Sequence, residues 1–301
     1  MLQHNAGNHL KTFKEAIGTR DFAVTAEFYL RPETDAESIR EQAGVLADDV
    51  DGILLTDNQF GHLHLCTVAA ASLLIGIGID PIVQLGCRNR NRISLLSDLM
   101  GAAAIGVTSL LLVRGARVPD GFEPRPKAVL DVTATELIRI ATTMKADERL
   151  KSLPDFFVGG MVTPHGAKPN WVPRKLQEKI EAGAQFIQMH ICMDIDLLRG
   201  YMKHLVAGKL IRRVSVMASV AVIESAEDAK WLRENRPNVM IPNAIVERLE
   251  GAEDPQNEGI KICAEVLREL ATIPGIAGAN VIATRDLATI PAAIRMAGIS
   301  S

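Results

Sequence analysis

Cysteine is scarce and scattered. The four in 301 residues, Cys66, Cys87, Cys192 and Cys263, form no C-x-x-C pair. That spacing argues against a zinc site or a disulfide framework and fits a reducing cytoplasm. Cys87 and Cys192 lie in apolar strand runs and read as packing residues. His165 and His190 have no second histidine at metal-ligand spacing, so no metal is expected. No apolar run reaches the roughly 18 residues of a membrane span. The start, Met1-Leu2-Gln3-His4-Asn5, lacks a basic region followed by an apolar core, so no secretory signal is expected. Neither sign of charge dominates. A net charge of -3 and a pI near 6.2 give no electrostatic reason to expect nucleic acid or an anionic membrane as partner. No G-x-G-x-x-G opens a helix after an early strand, which argues against an open dinucleotide-binding sheet.

What is present is a repeating alternation. Hydrophobic residues make up 48% of the chain, enough for one large core. Apolar runs rich in β-branched residues occur at 22–29, 52–56, from 82, and at 109–113, 156–161, 186–192, 214–219 and 278–282. Segments at helical spacing lie between them: 36–46, 65–75, from 93, 134–149, 176–182, 194–206, 226–235, 242–249, 259–270 and 287–296. A short amphipathic helix at 10–17 precedes the first strand. Strands that read as continuous apolar runs belong to a parallel sheet covered by helices on its outer side. No long linker or compositional break divides the chain. The expected fold is therefore α/β, a single (β/α)8 TIM barrel over residues 1–301 with a short helical lead-in. A doubly wound open sheet is the alternative.

In such a barrel the residues just after each strand converge on one mouth. Here they are Glu27, Thr56-Asp57-Asn58, Arg88 with Arg90, Arg114, Thr163 with His165, His190, Ser219 and Thr284-Arg285. The densest stretch is Cys87-Arg88-Asn89-Arg90-Asn91-Arg92, where a strand hands over to a helix. Fork-shaped guanidinium donors suit phosphate, carboxylate or a polar heterocycle. Glu27 stands inside an apolar strand segment. Desolvation there favours the protonated carboxyl and suits a general acid. Asp57 reads equally as a cap for the next helix. His190 either points into the mouth or packs in the core. Lys179 reads most simply as a helix-surface residue.

Together these residues resemble methylenetetrahydrofolate reductase, over nearly the whole span from Glu27 to Arg285. Glu27-Phe28-Tyr29 with Pro32 is similar to the family's E-F-F-P-P strand. Cys87-Arg88-Asn89-Arg90-Asn91, with Leu96-Ser97-Asp98-Leu99 and Gly101-Ala102, is similar to C-R-D-R-N followed by L-Q-S-D-L-x-G-A. Lys179-Ile180-Glu181-Ala182-Gly183-Ala184 resembles K-V-E-A-G-A before the sixth strand, and Ile241-Pro242 resembles the C-terminal part. The resemblance implies a barrel that reduces 5,10-methylenetetrahydrofolate to 5-methyltetrahydrofolate. NADH or NADPH would supply the hydride, with bound FAD an open question. Glu27 would be the general acid. Thr56, Arg88, Arg114, Gly115, His165 and Lys179 would hold the cofactor. Gln84, His190, Ser219 and Arg285 would hold the folate. Homo-oligomers are also open.

The chain departs from the pattern in three places. Val113-Arg114-Gly115-Ala116 replaces a strand end that usually carries Gly-Asp. His190 stands where a pterin-reading Gln is usual. The loop from Thr163 to Trp171 lacks the usual Tyr and acidic residues. These departures support a second expectation, a non-reducing pterin-binding barrel that partners a methyltransferase.

Overall fold

In the computed structural model, eight parallel strands close on themselves in the order β1-β2-β3-β4-β5-β6-β7-β8. The structure describes residues 12–118, 122–148, 150, 155–168, 171–236 and 238–299. The strands are β1 Ala23–Phe28, β2 Gly52–Leu55, β3 Pro81–Gly86, β4 Ser109–Val113, β5 Phe157–Val162, β6 Phe186–Ile191, β7 Ser215–Val222 and β8 Ile276–Ala283. The helices are α1 Phe13–Thr19, α2 Ala36–Gly44, α3 Thr67–Gly76, α4 Arg92–Ala104, α5 Ala134–Thr143, α6 Arg174–Glu181, α7 Ile195–Ala207, α8 Ala226–Asn235, α9 Asn243–Glu250, α10 Pro255–Ala271 and α11 Thr289–Ala297. Pairing of β1 with β8, Thr25 opposite Asn280, closes the sheet and rules out the open alternative. No helix among the described residues is long and apolar enough to cross a membrane.

Side chains alternate between two apolar clusters, as the period of a strand requires. Val24, Ala26, Phe28, Val83, Leu85, Leu110, Leu112 and Val158 face outward and pack under the helices. Ala23, Leu54, Ile82, Leu111, Phe157, Phe186 and Met217 face inward. The inward set meets Phe13 and Ala16 of α1, so the lead-in helix plugs the lower end of the barrel. Phe13 lies edge-on to Phe157 and Phe186, with ring centroids 5.7 and 5.2 Å away. Residue 159 must be glycine for this stack, because a Cβ there would lie 2.3 Å from the Phe186 ring. A capping box of Thr12 and Glu15 starts α1. The buried Asp80 carboxylate then accepts the Phe13 amide at 2.8 Å, which fixes the helix to the strand bottoms. The lead-in expected at 10–17 thus runs from Phe13 to Thr19, and residues 1–11 lie outside the described residues.

Above these layers the inward positions turn polar. Glu27 shares the face of Ala23, Gln84 that of Ile82, Gln188 and His190 that of Phe186, and Ser219 that of Met217. The upper end of the barrel is therefore where polar chemistry is concentrated.

Candidate functional site

Glu27 is buried at that upper end, but not among apolar groups alone. Its Oε1 accepts from Arg236 Nη2 at 2.6 Å, and its Oε2 accepts from Asn280 Nδ2 at 3.3 Å. Asn280 is itself oriented by the Thr25 hydroxyl, which donates to its Oδ1 at 2.9 Å. Arg236 also donates through Nη1 to the Tyr29 hydroxyl at 2.8 Å. The guanidinium is buried and reaches the mouth from the end of α8, where the chain turns extended. Burial opposes the charge on Arg236, yet Glu27 and Tyr29 outweigh it and hold the group above its usual range. Burial, reinforced by Glu27, pushes the Tyr29 phenol well above its ordinary value, so Tyr29 stays a neutral O–H. The isolated, desolvated carboxyl expected from the sequence is thus replaced by a charge-paired one. The reason is a partner 209 residues away, invisible to any local pattern.

Tyr29 connects this network to a cavity of about 580 Å³. Its walls include Phe60, His62, Leu63, Phe122, Trp231, Ile282 and Thr284, with Arg31, Glu33 and Asp228 at polar positions. Phe60 stacks on Tyr29 at 6.0 Å between centroids and meets Trp231 edge-on at 5.2 Å. Phe60 holds φ +55°, a left-handed conformation that a bulky side chain rarely adopts. Strain of this kind is retained where surroundings impose it, commonly at ligand sites. The volume and the aromatic lining suit a planar heterocycle.

A second cavity of about 460 Å³ opens between β5 and β6. Here His165, Lys179 and His190 come together with Trp171, Tyr201, Arg174 and Lys175. No carboxylate is among its lining residues. The first turn of α6 has no side-chain cap; its Arg174 and Leu176 amides donate to the Val172 and Pro173 carbonyls. Burial, then Lys175, pushes the Lys179 ammonium below its usual range. The Nδ1 of His165 is buried and finds no hydrogen-bond partner among the described residues. Burial, then the charge of Arg236, pushes His190 down to about 4. His190 is thus a neutral imidazole at physiological pH, able to donate from one nitrogen and accept at the other. Three cations, with no carboxylate among the lining residues described, form a donor set suited to phosphate.

The other candidates are placed as follows. Arg88 is half-buried, and its Nε lies 3.5 Å from the Gly115 carbonyl. Gly115 sits at φ +91°, where a Cβ would come within 3.0 Å of Arg88 Cβ, so glycine is required there. Arg114 is exposed. Thr56 is buried and tied to the Phe28 carbonyl at 3.4 Å. Gln84 is buried on the inner face of β3. The Ser219 hydroxyl is buried with no hydrogen-bond partner among the described residues. Arg285 is not brought to the Glu27 network. It lies on the outer rim, held by Asp228 at 2.9 Å.

Asp57 caps no helix; it accepts the Gly86 amide at 2.7 Å and a bidentate pair from Arg90 at 2.5 and 3.0 Å. Arg90 also meets Asp98 at 2.8 Å, so this arginine ties strand ends to α4. Cys87 and Cys192 are buried, and burial pushes their thiols up to about 11 and about 12, as packing residues. Among the described residues no group of three or more His, Cys, Asp or Glu could hold a metal. Pro169 and Asn170 of the fifth-strand loop lie outside the described residues.

Sequence reasoning missed Arg236, Asn280, Phe60 and Trp231. An aromatic in Gln59-Phe60-Gly61-His62, directly after β2, was the available signal for Phe60. Trp231 lies in a charged helix and carries no such signal.

A family model for methylenetetrahydrofolate reductase matches residues 12–285. No curated protein sequence matches the chain. Among solved structures, an uncharacterized protein from Clostridium thermocellum that binds two copies of 5-methyl-5,6,7,8-tetrahydrofolic acid superposes with a TM-score of 0.67. It is 13% identical, over 94% of this chain and 96% of that one. Oxaloacetate acetylhydrolase, in complex with 3,3-difluorooxalacetate, gives a TM-score of 0.50 at 12% identity, over 90% of this chain and 79% of that one. At these identities the likenesses show a shared barrel fold.

Proposed function

The chain belongs to the methylenetetrahydrofolate reductase family, and from that premise we propose that it binds a reduced folate at the barrel mouth and reduces a methylene bridge to a methyl group. The carrying observation is the position of Glu27, buried at the mouth and joined through Arg236 to Tyr29 on the wall of the aromatic cavity. The folate bound by the Clostridium thermocellum protein of the same fold supports this ligand class. Opening a five-membered ring that bridges two nitrogens requires a proton on one of them. That step leaves an iminium carbon, which accepts hydride. Glu27 is the residue to deliver the proton. Phe60 and Trp231 offer faces for the flat rings. His190, held neutral and reached from the side of the second cavity, can read a donor–acceptor edge in place of an amide where the two cavities meet the mouth.

The second cavity fits a phosphate-bearing cofactor. Arg174, Lys175 and Lys179 would hold its phosphates, and His165 one of its polar groups. When bound, a nicotinamide supplies the hydride, directly or through FAD. The test is to mix the protein with NADH and methylenetetrahydrofolate and follow NADH absorbance. Oxidation matched by methyltetrahydrofolate is the expected result. A yellow purified protein would mark bound flavin.

One observation favours the non-reducing reading. Both Glu27 oxygens accept from protein donors, so in this arrangement the carboxyl group is engaged within the protein and not turned to a ligand. A reduced folate that binds without any NADH oxidation would select that reading.

A further inference from the structure

We propose that Arg236 is the positioning residue that decides when Glu27 can give a proton. The proposal rests on the reductive reading for its kinetic consequence, but its structural core does not depend on it. Arg236 is buried, and its two terminal nitrogens are divided between two acceptors. Nη2 holds the Glu27 carboxylate at 2.6 Å and Nη1 holds the Tyr29 hydroxyl at 2.8 Å. This is a geometry that a guanidinium supplies and an ammonium does not, because its donors are fixed in one plane. A buried carboxylate without a cation beside it is costly and takes up a proton instead. On this reading Arg236 holds Glu27 as its ion-pair partner while no ligand occupies the mouth.

The groups around the carboxylate leave few other candidates for this control. Asn280, from β8, is neutral and can only donate to Glu27, its oxygen being taken by the Thr25 hydroxyl. Tyr29, from the end of β1, stays a neutral phenol and also bonds Glu27 through its hydroxyl, so it supports the carboxylate but carries no charge. His190, from β6, stays neutral and feels the same guanidinium. A planar ligand entering against Tyr29 and Phe60 presses on the acceptor that occupies Nη1. Displacing Tyr29 loosens the guanidinium from Glu27, and Glu27 then takes up a solvent proton. Ring opening passes that proton to the substrate nitrogen as its carbon–nitrogen bond breaks, and the carboxylate returns to Arg236. The pair acts as a latch that withholds acid until substrate is seated.

The structural core is tested by infrared difference spectroscopy on ligand-free protein at pH 7, comparing wild type, Arg236→Met and Arg236→Lys, each against its Glu27→Gln counterpart. Wild type and Arg236→Lys should show a carboxylate at position 27. Arg236→Met should show a protonated carboxyl. An ionised Glu27 in Arg236→Met would overturn the proposal. If Arg236→Met folds only at acidic pH, or only when combined with Glu27→Gln, the proposal stands. If neither variant folds at any pH, Arg236 serves packing and the proposal fails.

The kinetic consequence is read from normalised pH–rate profiles. In Arg236→Met the falling limb should move to higher pH, so that the normalised rate at pH 8 exceeds that of wild type. Profiles that superimpose would remove the catalytic role. An enzyme with no NADH oxidation at any pH would sink the reductive reading and leave the infrared result to decide the latch.

Discussion

Lys179 shows how a single residue changes meaning once the chain is folded. On a helical wheel it is a surface lysine. In the structure it lines the second cavity, partly desolvated and beside Lys175. A cation placed in this way gains by meeting an anion. Charge-assisted hydrogen bonds contribute about 1.5–3 kcal/mol, so Lys179→Ala should weaken NADH binding by roughly 10- to 100-fold. Calorimetric titration measures this directly. Thermal stability should not fall, because the substitution removes a charge that burial and Lys175 disfavour; a large loss of stability with unchanged NADH binding would assign Lys179 to the fold. Glu27, His165 and His190 were legible because each lies in or shortly after its own strand. Arg236 and Trp231 were not, because both arrive from α8, far along the chain, and only closure of the barrel brings them to Tyr29.

The helices and strands were legible where one physical rule governed them. All eight strands are buried on both faces and read as mostly apolar runs, a pattern that surface strands do not share, so their existence and parallel arrangement followed from the run of residues. Some boundaries did not. α10 starts at Pro255 rather than 259, set by the Asp254 side chain accepting the Asn257 amide at 3.1 Å, with proline in the first turn. The lead-in helix was legible as a helix but not as a plug, since nothing local says which surface Phe13 covers. Removing that ring by Phe13→Ala should cost about 3–5 kcal/mol, seen as a lower denaturant midpoint. No change in midpoint would mean that α1 merely rests on the barrel.

Asp80 makes the same joint pH-sensitive. Burial pushes its carboxyl up to about 6, against the opposing hydrogen bonds from Phe13 and Thr108. A raised carboxyl favours the folded state when protonated. Its contribution is therefore greatest below about pH 4 and lost as pH rises through about 6. Asp80→Asn keeps an acceptor for Phe13 without the charge. It should be more stable than wild type at pH 8, by on the order of 2–3 kcal/mol, and the difference should vanish toward pH 4. Equal stability at both pH values would show that the ionised carboxylate is not penalised.

At the scale of the whole molecule the barrel separates two tasks. Its lower end is closed by α1 and aromatic packing. Its upper end holds an aromatic cavity on the β1–β2–β8 side and a basic cavity on the β5–β6 side, with the charge pair of Glu27 and Arg236 beside Tyr29. That division fits a flat, electron-rich substrate on one side and a phosphate-bearing hydride source on the other. The central claim is that Glu27 delivers the proton that opens the folate ring. Glu27→Gln keeps the size of the side chain and still accepts from Arg236, but it has no proton to transfer. General acid catalysis contributes about 10²- to 10⁴-fold. The most direct test is therefore the rate of methylenetetrahydrofolate reduction by Glu27→Gln at saturating NADH, with folate affinity measured in parallel. A loss of 10²- to 10⁴-fold in turnover, with affinity nearly unchanged, is the predicted result. Reduction at a near wild-type rate would contradict the account.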